Sequence, residues 1–396
     1  MKGHVFQITD WMREERLRRE ALFEGLFGGK PIPHIPIEIK VSAPKHRARD
    51  YYFDFSAQFE DAMSSAVATW GMKRNDLIPS LFPDVGCSCL ATVFGARYYF
   101  GESEDQTAGV KDPPIKDLAG WAAKAGSSDT PGIPDIMESE WIREGLRRTR
   151  EFAEAGDGFL PVTGLDAAGG VNVAADLLGV QNLLMAMVME KEALHRLLAV
   201  IQETYIALIE KEIEAAGGLD NMTCTDFYPG WSPPGYKGHC SDDISAMFGP
   251  DFYDEFSAPY HAMVYRKYGR GGLHNCGPNP CHEAYVAHEA SPRYLDLAEK
   301  YSERDLPKLK KSLKGKAFIR WGSEDREIGL IEKRFRGYME LLAPDVMLVP
   351  AYTVTTQEEG DELYDRLYPI AVEYAGRMEF GFGAGPEKLP DGAWAG

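Results

Sequence analysis

Apolar side chains recur along this chain with two periods, and the alternation of the two predicts the architecture. Residues 9–27 carry Trp11, Met12, Leu17, Ala21, Leu22 and Leu26 among charges, the spacing of an amphipathic helix, and Gly28-Gly29 ends it. That helix is expected on the outside of the main body. Ile35, Ile37 and Ile39 then alternate with Glu38 and Lys40, a strand signal with polar ends that face a cavity. Helical spacing returns at 56–70, 135–155, 172–178, 180–189, 190–215, 293–300, 306–313, 328–342 and 357–374. A further aromatic-rich helix runs to Tyr268; Pro250 in its first turn and Asp251 near its positive end mark where it starts. Short apolar runs at 76–83, 158–164, 221–226, 271–276, 316–322 and 346–352 read as strands.

Strands and helices therefore alternate, which favours a parallel sheet with helices outside. About eight such units in 396 residues predict an α/β fold of the (β/α)8 TIM-barrel type with an N-terminal helical extension. The expected division is 1–55 for the extension and first strand, 56–380 for the barrel and 381–396 for a C-terminal tail. No Gly-x-Gly-x-x-Gly follows the first strand, so a dinucleotide fold is not indicated.

Composition narrows the function. Lys and Arg number 43 against 61 Asp and Glu, a net charge of −18 that repels nucleic acid, anionic membrane and polyanionic substrates. The first 30 residues have mixed charge and lack a signal peptide's apolar core, and no uninterrupted apolar run is long enough to span a membrane. Six cysteines in so long a chain suggest thiols in a reducing cytoplasm.

The densest collection of soft-metal ligands is the run 271–281, where a short apolar segment turns into a Gly/Pro loop. On extended chain His274 and Cys276 point to the same side, and an imidazole and a thiolate so placed could hold one zinc ion. If the strands form a barrel their C-terminal ends share one mouth, where Asp166, Asp226, the run 239–243, His274, Cys276 and Tyr352 would converge. Cys87 and Cys89 have similar spacing but no accompanying His or acidic pair, and read as small buried residues. His195, among Leu194, Leu197 and Leu198, reads as a packing residue, and the loop cations Lys45, His46, Arg47 and Arg49 as solvated charge.

The run Ser241-Asp242-Asp243-Ile244-Ser245-Ala246-Met247-Phe248-Gly249-Pro250-Asp251-Phe252-Tyr253-Asp254-Glu255-Phe256, followed by Leu273-His274-Asn275-Cys276-Gly277, resembles the uroporphyrinogen decarboxylase superfamily. Within it the chain looks most like the corrinoid-dependent methyltransferases, the branch similar to methylcobamide:coenzyme M methyltransferase. The likeness extends from about residue 55 to 378. It implies zinc held by His274, Cys276 and a cysteine on the last strand, where this chain has Ala351-Tyr352 instead. Cys240 is the expected replacement, with His239, Asp243, Cys281 and Glu38 as other candidates. The resemblance further implies that Asp243 orients a ligand or substrate, that Tyr352 donates a proton or lines the pocket, and that a corrinoid on a partner protein exchanges a methyl group with a small molecule. Two rival readings are a decarboxylase of uroporphyrinogen, for which the arginine clamp near the first strand is absent, and a barrel that binds small molecules without catalysis.

Overall fold

The computed structural model describes residues 7–100, 109–110, 112–125 and 133–379. The expected tail therefore lies outside the described residues. Among the described residues eight strands occur in chain order: β1 Glu38–Val41, β2 Tyr98–Tyr99, β3 Gly109–Val110, β4 Gly238–Ser241, β5 Arg270–Asn275, β6 Tyr294–Ala298, β7 Phe318–Gly322 and β8 Leu348–Val354. Strands β2 and β3 form a small antiparallel ribbon. The other six make one parallel sheet in the order β1-β8-β7-β6-β5-β4.

The regular ladder thus has six strands, and it is continued past β4 by irregular chain. Thr225 N–H donates to the Lys237 carbonyl at 2.9 Å, and single parallel bridges join Met222 to Val162 and Val162 to Leu81. At the opposite edge Asn75 and Asp76 stand in for a neighbouring strand. Their side chains accept the Ile39 and Ile37 N–H groups at 3.2 and 3.0 Å. Pro79, Pro83 and Pro161 fall in these segments, and a proline has no N–H to give a ladder, so side chains and isolated bonds replace one.

The strands expected at 76–83, 158–164 and 221–226 form only these irregular, singly bridged segments, and two further stretches differ from the sequence expectation. Residues 293–300 form β6 and the short helix Glu299–Ser302 instead of one helix. Tyr294 and Asp296 lie on one face of β6 and Leu295 and Leu297 on the other, a period of two that the charged residues on either side disguise. β4 is a strand at a polar stretch to which the sequence pattern assigned no element; all four residues are buried.

The N-terminal helix Asp10–Phe27 forms as expected, with the Thr9 hydroxyl accepting the Met12 N–H at 3.2 Å. Its position is not the expected outer surface. Phe27 packs on Tyr236, Tyr294 and Phe318 at ring distances of 5.3, 5.6 and 5.2 Å, and Phe23 packs on Trp231 at 6.5 Å. Tyr294 and Phe318 open β6 and β7, so the helix plugs the N-terminal end of the sheet. The reason is the apolar stripe Leu22, Phe23, Leu26 and Phe27, all at most 5% exposed, which buries far more surface there than on an outer face. The opposite end, where the strands finish, stays free for chemistry.

Among the described residues no single helix is long and apolar enough to cross a membrane. The pair Gly170–Leu178 and Val180–Met189 is apolar enough jointly but bends by 108° between its halves.

Candidate metal centre

Parallel register puts the key side chains in one row. Ser241, His274, Asp296 and Arg320 are consecutive partners across β4, β5, β6 and β7, and partners in a parallel sheet share a face. Gly272, one pleat below His274, makes room for the rings of the row beneath: a Cβ there would sit 2.3 Å from the Tyr294 ring and 2.5 Å from the His239 ring.

His274 is held from behind. Its Nδ1 lies 2.6 Å from Asp296 Oδ2, and the other Asp296 oxygen accepts from Arg320 Nη1 at 2.9 Å. Arg320 Nε donates in turn to Glu38 Oε2 at 2.6 Å, while its guanidinium lies 4.5 Å over the Tyr228 ring. The Phe227 ring meets the imidazole edge-on at 5.5 Å. With Nδ1 committed to Asp296, Nε2 faces the mouth, 3.3 Å from Cys276 Sγ and 3.6 Å from Asp243 Oδ1.

Asp243, His274 and Cys276 each offer one ligand atom, all within 4.8 Å of one another. Zinc bonded to nitrogen or oxygen at about 2.0–2.2 Å and to sulfur at about 2.3 Å in a tetrahedron spaces its donors roughly 3.3–3.6 Å apart. The two distances from Nε2 match that spacing, so the residues present fit the ion. Asp243 is steadied on its other side: its Oδ2 accepts from Asn172 Nδ2 at 3.3 Å and from the Ser241 hydroxyl at 3.4 Å, and Oδ1 accepts the Cys276 N–H at 2.8 Å.

Electrostatics suit a cation. Desolvation pulls the His274 pKa down, yet the hydrogen bonds to Asp296 and Cys276 and the charges of Asp296 and Asp243 outweigh it and hold the imidazole well above its ordinary value. Burial pushes the Asp166 carboxyl up to about 7, helped by the charge of Asp226, and Asp226 itself up to about 7. Asp166 keeps contact with solvent, but protein atoms crowd its carboxyl and Cys87 hydrogen-bonds to it.

The expected residues separate into two groups. His274, Cys276 and Asp243 come together, and Asp243 stands where a ligand would, closer in than the orienting role expected of it. Cys240 does not join them. It is the register partner of Leu273, so it points to the helix-covered face of the sheet, 3% exposed, while Ser241 occupies the His274 side. Tyr352 is out of place for the same reason. It is the partner of Ile39 and lies beside Asp325, Ile331 and Leu363 under the helices, with burial raising its pKa further from a proton donor's range. Cys281 turns inward, its thiol donating to the Ser245 and Phe248 carbonyls at 3.4 and 3.2 Å. His239 lies one pleat deeper, fully buried and stacked on Tyr228 at 5.0 Å, and Glu38 is taken by Arg320.

Asp296, Arg320 and Asn172 were missed in the sequence. Reading 294–298 as a strand would have put Asp296 level with His274.

No family model and no curated protein matches this chain. A solved structure, a methyltransferase from Methanosarcina mazei, is similar to it with a TM-score of 0.63 and 15% sequence identity, covering 88% of this chain and 96% of that one. At that identity the likeness is one of fold. It covers nearly the whole of both chains, so the six-stranded parallel sheet with its surrounding helices is an architecture seen before.

Proposed function

We propose that this protein is a zinc-assisted methyltransferase that moves a methyl group between a small molecule and a corrinoid carried by a partner protein. The observation that carries the reading is the meeting of Asp243 Oδ1, His274 Nε2 and Cys276 Sγ at the C-terminal end of the sheet. The fold likeness to a protein named as a methyltransferase supports it, as does the row of side chains that fixes His274. On this reading the sheet and the bridged segments at 81, 162 and 222 enclose a distorted (β/α)8 barrel. Six free cysteines agree with a reducing, cytoplasmic setting.

His274, Cys276 and Asp243 would hold the ion, with Asp243 taking the place of the last-strand cysteine that the sequence lacks. When bound, zinc supplies Lewis acidity, lowering the pKa of a coordinated thiol or polarising an oxygen so that the methyl group can be exchanged at neutral pH. Asp296 fixes the His274 tautomer, and Asn172 and Ser241 fix the Asp243 carboxylate. Asp166 and Asp226, with pKa values of about 7, can each hold or release a proton beside the centre.

A decarboxylase that grips many carboxylates would need free guanidinium groups inside the barrel. Arg320 faces that interior, but Glu38 and Asp296 already engage it. The test is to incubate the zinc-loaded chain with methylcobalamin and a series of small thiols. Appearance of the cob(I)alamin spectrum, lost with the chelated protein, supports the reading; an unchanged spectrum with every thiol, and with cob(I)alamin and methylated donors in the reverse direction, contradicts it.

A further inference from the structure

A cavity of about 500 Å3 opens beside the metal centre, and its shape comes from a gap in the sheet. β1 and the chain at 77–82 are tied only where β1 begins, through Asn75 and Asp76. Beyond that point no regular ladder joins them, and the space between opens onto the helix Phe55–Trp70. Small residues of that helix, Ala62, Ser65, Ala66 and Thr69, form the back wall. Phe227 is the wall shared with the centre, since the same ring lies edge-on to His274.

Of the charged groups around this cavity, one cation stands without a partner among the described residues, while the Asp84 carboxylate, also in the lining, accepts the Gly86 N–H at 2.8 Å. Lys45 pairs with Glu60 at 2.6 Å, and His46 lies 3.4 Å from the same carboxylate. Asp61 accepts the Lys45 and His46 N–H groups, both at 2.9 Å, and the Tyr51 hydroxyl at 2.8 Å. Lys40 stands two residues after Glu38 and so on the same inward face of β1. It lines the cavity, and among the described residues no hydrogen bond or ion pair engages its ammonium. Its side chain is exposed to solvent at the cavity opening, and the protein atoms around it lower its pKa with no acidic neighbour raising it. An ammonium at the opening of a largely apolar cavity, with no carboxylate already paired to it, is one that the anionic end of an incoming ligand can pair with.

We propose that this cavity binds a small organic carboxylate, with the anion on Lys40 Nζ and the apolar body between the small-residue wall of Phe55–Trp70 and the Phe227 ring. The volume suits a ligand of this kind, since pockets of a few hundred Å3 bury most of a drug-sized molecule. One lysine selects one anionic group, which separates this ligand from the polycarboxylates that the net charge of −18 repels. As the substrate pocket of the methyl transfer the assignment rests on the proposed function; as a binding site it does not.

The experiment is calorimetric titration of the full chain, with and without zinc, using benzoate, phenylacetate and cyclohexanecarboxylate alongside their neutral amides. At least one carboxylate should bind saturably, and at least about tenfold more tightly than its amide. Lys40→Met should lose that preference with an unchanged melting temperature, and Lys40→Arg should keep it. Ala62→Leu, which fills the wall without touching the charge, should weaken acid and amide alike. Equal affinity for acid and amide, undiminished acid binding by Lys40→Met, or no binding of any acid at about 10 mM would overturn the proposal. Carboxylate binding without methyl transfer would count against the proposed function alone, and methyl transfer without acid preference against this site alone.

Discussion

His274 Nδ1 and Asp296 Oδ2 lie 2.6 Å apart, and that single bond decides which imidazole nitrogen is free for a metal. The carboxylate is itself pinned by Arg320, so the ring presents Nε2 to Cys276 and Asp243 before any ion arrives. Asp296→Asn should therefore lower zinc affinity by about 10–100-fold, the usual effect of losing such a support, while the protein stays folded because Arg320 keeps Glu38. Competition with a chromophoric chelator measures it; an unaltered affinity would show that Asp296 does not orient the ring.

The ligand set can be dissected by substitution. His274→Ala with Cys276→Ala should abolish stoichiometric zinc, and Asp243→Ala should weaken binding sharply. Cys240→Ser should leave metal content as it was, because its sulfur faces the helices. Metal analysis after gel filtration reads all three, and zinc lost from the Cys240 variant would mean that the sheet presents its other face.

Acidity should act on the metal and on the metal-free fold in opposite senses. His274 has a folded pKa raised above its ordinary 6.5. In the metal-free protein its protonated pairing with Asp296 therefore contributes stability that is complete below about 6.5 and disappears as pH rises through the raised value. Zinc needs the neutral ring, so its affinity should rise over that same upward interval and fall on acidification. Thermal melting of the chelated protein and chelator competition, both followed against pH, check the two signs; a zinc affinity flat with pH would contradict them.

Much of this was legible from the chain, and the failures trace to features that only neighbouring strands decide. The period-two placement of His274 and Cys276 needs only local sequence, and the structure keeps them side by side. Cys240 and Tyr352 fail because which face a strand residue takes depends on register with its neighbours, and a shift of one position inverts it. Asp296 was hidden because the charged surroundings of β6 mimic a helix, and Arg320, on a strand that was expected, because only the register with β6 shows that it reaches Asp296. The polar end of this strand at Lys40 is expected from the sequence to face a cavity, but the cavity's shape is not legible there, since it exists only where β1 and the chain after Asp76 fail to pair.

The N-terminal helix gives a test of the architecture by itself. Phe27 is 2% exposed and touches three aromatic rings at the base of the sheet. Phe27→Ala should cost about 3–5 kcal/mol, seen as a lower unfolding midpoint, with zinc stoichiometry retained in the folded protein because the centre lies at the other end. A change within about 0.5 kcal/mol would place the helix outside the core.

X-ray absorption at the zinc edge, on the full chain loaded with one equivalent of metal, bears most directly on the central claim. One sulfur at about 2.3 Å with nitrogen and oxygen neighbours at about 2.0–2.2 Å is the result expected of Cys276, His274 and Asp243. Two or more sulfurs, or zinc that washes out before the spectrum can be taken, would contradict it.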